Sequence, residues 1–251
     1  MTASVSVGHT TDMAVHVLDR ELQVLDREMQ ALRRQMFAGP EAARLLPVAL
    51  GTLRYWLEGG VRRQRQYWPV IRPEPTGSRA VTWGEFVEAA LLRQYRRVHR
   101  VPVREMRAVL ERLRDRFGVP YPLAQAKPFV GPGKRLRFRQ HEAPDLPGDL
   151  WLVAVANGQP TLLPASQIFY ERVEWGEEFA LGWRPAPDPK SPVRMRPDER
   201  FGLPAVGGVR TEMIWEHLDG GEDFDEVAAE FDLSVDEVRW AHAFETSLRA
   251  A

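Results

Sequence analysis

Between Val15 and Met36 the apolar residues Val15, Leu18, Leu22, Leu25, Met29, Leu32 and Met36 succeed one another at alternating steps of 3 and 4. An extended chain cannot gather residues at that spacing on one side, because strand side chains alternate faces at every position; a helix can. Identity reinforces the period, since Val17-Leu18-Asp19-Arg20-Glu21-Leu22-Gln23 returns as Val24-Leu25-Asp26-Arg27-Glu28-Met29-Gln30. A strict heptad favours the seam of a short coiled coil, with Leu18, Leu22, Leu25, Met29 and Leu32 as the expected homodimer contacts. Val17 and Val24 widen the apolar face, which would instead suit packing on the chain's own next unit. This extension covers residues 1–36.

Proline and glycine punctuate the next segment. Pro40 suits the first position of a helix, Pro47 ends it, Gly51 serves as a weak cap for a second helix, and Gly59-Gly60 stop that one. Within the second helix Leu53, Trp56 and Leu57 form one apolar stripe, which leaves Arg54, Tyr55 and Glu58 outward. Thr52, Arg54 and Tyr55 then stand where a helix-turn-helix reads a major groove; a plain helical hairpin is the competing reading. Residues 61–72 are basic and aromatic, 73–78 make a turn, and Arg79 to Val81 can return as a strand, forming a wing. Arg62, Arg63, Arg65, Arg72 and Arg79 would lie along phosphates, and Trp68 and Trp83 would anchor the wing in the core. Thr82-Trp83-Gly84-Glu85 is a capping box for a helix to about Val98. Pro102 starts another, with Met106, Leu110 and Leu113 inside and Arg104, Arg107, Arg112, Arg114 and Arg116 on a solvated outer face.

Charge obeys the same division. The net charge of −1 conceals +8 over residues 1–130, zero over 131–195 and −9 over 196–251. A basic front and an acidic tail point to nucleic acid at one end and a different partner at the other. With no cysteine, disulfides, thiolate metal sites and cysteine nucleophiles are excluded. The strongest apolar run, Leu150 to Ala156, is far shorter than a membrane span, so the expectation is a cytoplasmic protein without a membrane.

Residues 121–195 read as a small β-rich module, with short strand-like runs at 135–140, 151–156 and 161–163 and Gly-Pro and Asn-Gly turns between them. Glu174, Glu177 and Glu178 look like a solvated turn. From 196 to 251 a bent strand pair precedes three helices: Thr211 begins one to Asp219, Asp223-Phe224-Asp225-Glu226 boxes a second, and Ser234-Val235-Asp236-Glu237 boxes a third. The fold class expected is α+β, mainly helical: heptad helix, winged helix-turn-helix (37–120), β-rich module and trihelical end.

The run Pro40-Glu41-Ala42-Ala43-Arg44-Leu45-Leu46 with Thr52-Leu53-Arg54-Tyr55-Trp56 after it resembles the MerR-like winged helix family, with Pro47 and Gly51 departing from its usual turn glycine and Ser/Thr cap. Pro197, Gly202, Pro204, Gly208, Arg210 and Thr211 resemble the signature of the antitoxin-associated domain-of-unknown-function family 433. In that order the two look like VapB-type antitoxins. The resemblance implies the antitoxin of a type II toxin-antitoxin system, an autorepressor that binds operator DNA and neutralises a PIN-like ribonuclease toxin. Asp236 and Glu237 would repel phosphate where a groove reader wants a base-reading side chain, so Asp236, Glu237 and Trp240 are assigned to the protein partner. The rival is a MerR-like effector-responsive regulator with no toxin. The six histidines show no ligand or triad spacing, so neither an enzyme nor a cofactor is expected.

Overall fold

Helix α1 takes up residues 22–24 and 26–33, and its last turns pack on the body of its own chain. The computed structural model describes residues 22–24, 26–62, 64–98, 102–125, 128–131, 135–138, 153–156, 159–162, 171–176 and 179–250. Leu32 is fully buried and Met29 packs against the same core, so both leave the expected dimer seam. Burying a leucine stabilises by about 1.5–3 kcal/mol, which the heptad would otherwise hold open for a partner. Leu22 stays 63% exposed; Leu18 and Leu25 lie outside the described residues.

Strand β1 (Gln35–Ala38) leads into α2 (Gly39–Leu45) and α3 (Leu50–Glu58). The stripe Leu53, Trp56 and Leu57 is buried as its spacing predicts. The start of α3 differs from expectation: Ala49 is the cap residue, its carbonyl takes the Thr52 and Leu53 amides at 2.8 and 3.1 Å, and Gly51 sits inside the first turn. Next comes a hairpin of β2 (Gly60–Arg62) and β3 (Arg65–Tyr67), paired Gly60 to Tyr67 and Arg62 to Arg65. The wing therefore turns between Arg62 and Arg65 and not, as expected, at 73–78, and strand β4 (Ala80–Thr82), expected to return along it, pairs antiparallel with β1 instead, Phe37 opposite Val81. Both of those side chains are buried, so the ladder closes the apolar core rather than extending the wing.

The capping box at Thr82 forms: Glu85 Oε2 accepts from the Thr82 amide at 2.9 Å and Thr82 Oγ1 from the Glu85 amide at 3.3 Å. It opens α4 (Trp83–Val98), with α5 (Val103–Phe117) and α6 (Pro122–Gln125) after it. A four-stranded antiparallel sheet holds β5 (Pro128–Gly131), β6 (Arg135–Phe138), β7 (Val153–Ala156) and β8 (Gln159–Leu162) in the order β5-β6-β8-β7.

The strand pair β9 (Val173–Trp175) and β10 (Ala180–Trp183) belongs to the N-terminal core. Trp83 Nε1 donates to the Ala180 carbonyl at 2.6 Å, and the rings of Phe86 and Trp183 meet edge to face at 5.6 Å. Glu174 is not a solvated turn residue: on β9 its carboxylate takes Arg196 Nε at 2.6 Å and Arg194 Nε at 2.8 Å. Glu177 and Glu178 lie outside the described residues.

A second core gathers the C-terminal residues. The hairpin β11 (Ala205–Val206) and β12 (Val209–Arg210) turns through Gly207 and Gly208, both at positive φ, which glycine adopts without strain. Helices α7 (Thr211–Asp219), α8 (Phe224–Phe231) and α9 (Val235–Arg249) bury Ile214, Val227, Ala228, Val238 and Ala241 together. Trp215 is half-buried beneath the Arg249 guanidinium at 3.7 Å. The result is an α+β protein, mainly helical, with small antiparallel sheets.

Candidate nucleic-acid interface

On α3, burying the Leu53, Trp56 and Leu57 face turns Arg54 fully outward, one helical turn in. Tyr55 is only half outward: its ring meets Tyr67 of β3 edge to face at 6.4 Å, and its hydroxyl lies 3.5 Å from Arg107 Nη2. Arg65, exposed on the hairpin, stands 5.9 Å over the Tyr67 ring. Thus Tyr55 and Tyr67 join the exposed face of α3 to the arginine of the wing. Gly59 makes the junction tight: it caps α3 at φ 69°, and a Cβ there would lie 2.2 Å from the Tyr67 carbonyl oxygen. Thr52 is half-buried in the first turn. Arg62 pairs through its backbone on β2, and Arg63 lies outside the described residues.

Glu58 does not point freely outward as its helical position predicts. Its Oε2 accepts the amides of Thr76 and Gly77, each at 2.9 Å, and its Oε1 accepts Thr76 Oγ1 at 3.1 Å. These bonds hold the 76–79 loop against the end of α3 and set Arg79, which is exposed, beside Arg54. Arg54, Tyr55, Val61 and Arg79 line one open concavity of about 720 Å³ bounded by α3, the root of β2 and this loop. A positively charged, aromatic hollow at an exposed helix face suits phosphate and base-edge contacts together.

Arg72 departs most from its expected place on phosphates. It is 3% exposed. Its guanidinium donates to Glu85 Oε1 at 2.7 Å and Oε2 at 3.1 Å, to Thr76 Oγ1 at 2.7 Å, to the Ser78 and Ala80 carbonyls at 3.1 and 2.8 Å, and to Glu58. Arg107 and Arg114 likewise turn inward from the expected solvated face. Arg107 donates to the Trp68 and Pro69 carbonyls at 2.7 and 3.1 Å, and Arg114 to the carbonyls of Pro120, Val70 and Ile71. The 68–71 strap is held from its other side by the Trp56 carbonyl, which takes the Val70 and Ile71 amides at 2.8 and 2.9 Å. Val70 and Ile71 are buried beneath it, and Trp68, expected in the core, is 59% exposed. Trp83 is fully buried as expected.

At the acidic end Asp236 is displayed, its side chain 83% exposed and 3.0 Å from Arg239. Glu237 is engaged in the α9 capping box, accepting the Ser234 amide at 2.9 Å, and Trp240 is half-buried. Spacing along the chain does not reveal one cluster here. His217 Nδ1 lies 2.9 Å from Glu222 Oε1 and 3.4 Å from Glu230 Oε2, and the three donor atoms sit within 4.8 Å of one another, close enough to converge on a cation. The hydrogen bond to Glu222 raises the imidazole pKa above its usual value. Among the described residues no helix is long and apolar enough to cross a membrane.

No family model matches the chain. It is 31% identical over 217 residues to the uncharacterized protein Rv2308 of Mycobacterium tuberculosis, a match spanning 84% of this chain and 90% of that one. It is also similar in fold to the crystal structure of Rv2018 from Mycobacterium tuberculosis, with a TM-score of 0.60 and 23% identity over 83% of this chain and 97% of the other.

Proposed function

The chain belongs to the family of Mycobacterium tuberculosis Rv2308, and we propose that it is a DNA-binding repressor that reads its operator with α3 and grips the flanking backbone with the β2–β3 hairpin. One observation carries this reading: Arg54, Tyr55 and Arg79 line a single hollow, and Tyr55 couples that hollow to the wing through Tyr67 and Arg65. Arg54 is the base-reading residue, and Arg65 and Arg79 contact phosphate.

The acidic C-terminal unit is the protein-partner end in the same proposal, displaying Asp236 toward a basic surface; the antitoxin resemblance makes that partner a PIN-like toxin, and the absence of cysteine suits a cytoplasmic protein. Its support is the charge of −9 over residues 196–251 and the signature from Pro197 to Thr211.

Gel-shift titration against DNA from upstream of the chain's own gene tests the DNA reading. Arg54→Ala should abolish or relax sequence choice. Arg65→Ala should weaken all DNA alike and flatten the slope of log affinity against log salt by about one. Wild-type affinity and slope in both variants would refute the assignment. Co-purification with the product of the adjacent reading frame tests the partner; a chain lacking residues 196–251 that still captures it would overturn the division of labour.

A further inference from the structure

A second cavity, of about 270 Å³, lies where the end of α2, the middle of α4, Arg172 with Trp183 and Pro185 to Pro187, and the last turns of α9 meet. Its walls are about half apolar, from Leu45, Trp183, Phe244 and Leu248 among others, and two arginines enter it, Arg93 from α4 and Arg172 from the segment before β9. None of the described residues lining it is acidic.

Both guanidiniums are held in place from behind. Arg172 donates Nε to the Arg184 carbonyl at 2.9 Å and Nη2 to the Pro185 carbonyl, and stands over the Trp183 ring at 5.6 Å. Arg93 donates Nε to the Pro47 carbonyl at 3.3 Å. Among the described residues, no carboxylate pairs with either, and the Nη groups of Arg93 and Nη1 of Arg172 keep their donors for something else. Burial lowers both pKa values, and each is lowered further by a neighbouring arginine, Arg97 for Arg93 and Arg93 itself for Arg172. Two partly desolvated like charges facing one cavity favour an anion between them.

We propose that this cavity binds a small organic anion, an apolar body with one carboxylate or phosphate head, the head held by Arg93 and Arg172 and the body by the apolar walls. The volume is just under the usual range for drug-sized ligands, so the body is compact. Such an occupant touches the first helix of the helix-turn-helix and the final helix of the acidic unit at once. The proposal concerns binding alone and does not depend on the DNA reading.

Calorimetric titration of the full chain tests it, with benzoate, phenyl phosphate, inorganic phosphate and, as the uncharged control, benzyl alcohol. Benzoate or phenyl phosphate should bind one per chain, with benzyl alcohol and inorganic phosphate each about tenfold or more weaker. Arg93→Gln should weaken the organic anion by about tenfold or more. Ser247→Glu, at an exposed position on the cavity rim, should abolish binding by tethering a carboxylate inside, in a chain whose melting curve shows that it remains folded. Inorganic phosphate binding as tightly as phenyl phosphate would overturn the role of the apolar walls. No binding of either organic anion, or binding unchanged in both variants, would overturn the site itself.

Discussion

Replacing Arg72 by Ala separates two roles that an arginine in a basic run can have. If it contacts phosphate, its loss lowers DNA affinity and salt slope and leaves stability alone. The structure instead makes it the tie between the end of α3, the 76–80 loop and the start of α4, through Glu58, Glu85, Thr76 and two carbonyls. Adding its hydrogen bonds at roughly 1.5–3 kcal/mol each would overshoot, because every group was hydrated before folding. The better guide is what Arg72→Ala leaves behind, a Glu85 side chain only 5% exposed with its cation gone. Removing one partner of such a buried pair costs about 3–5 kcal/mol. In a chain of this length each kcal/mol moves Tm by about 2–4 °C, so a fall of roughly 6–20 °C is expected. Arg72→Lys should recover only part of it, since an ammonium cannot reproduce the planar fork. Thermal and urea unfolding monitored by circular dichroism measure this directly. A variant with wild-type stability and a salt slope reduced by about one would refute the reasoning and return Arg72 to the phosphates.

Single groups set three further outcomes. Burial pushes the Glu88 pKa up to about 8, against the pull of Arg114 and the Leu123 amide. Glu88 is therefore protonated in the folded chain and ionised in the unfolded one between pH 4.5 and about 8, so stability should fall with rising pH across that window by up to about 1.4 kcal/mol per unit. Glu88→Gln should flatten that fall; an unchanged Tm-versus-pH profile would count against a buried neutral acid. For His217, raised chiefly by its bond to Glu222, the sign is that of a cation stabilised by folding: the contribution is full below its unfolded pKa and lost as pH rises through the folded one. His217→Gln should thus lower Tm more at pH 6 than at pH 9, with Tm measured against pH checking the difference. Asp223 accepts the Asp225 and Glu226 amides at 2.9 and 2.8 Å as the cap of α8, and Asp223→Ala should cost about 1 kcal/mol in urea unfolding.

The C-terminal helices are readable because their determinants are local. Asp223 with Glu226 and Ser234 with Glu237 close capping boxes within four residues, and the observed helices begin at the residue after each cap, Phe224 and Val235. The stripe on α3 is readable for the same reason, its period lying within one helix. Strand pairing is not: β4 is three residues long, too short to carry a register of its own, and the apolar ladder with β1 is closed by contact between residues more than 40 positions apart. Trp68 defies its expected place because an aromatic residue in a short strap looks like an anchor, whereas the amides of Val70 and Ile71, bonded to Trp56, decide which side chains go under.

The basic charge of the N-terminal half divides on the same principle. Arg72, Arg107 and Arg114 are spent on carbonyls and carboxylates, several of which, such as Glu58 and Glu85 for Arg72, Trp68 for Arg107 and Val70 for Arg114, lie 13 to 44 positions away, where a string of letters does not bring them near. Glu58 and Glu85 flank Arg72 on the ends of two helices, and that flanking is the one signal in the sequence that could have marked it as internal. What the described surface displays beside α3 is Arg54, Arg65 and Arg79. The count of +8 therefore overstates the electrostatic footprint available to DNA, and the stiffness that orients those three arginines is supplied by the ones withdrawn from it.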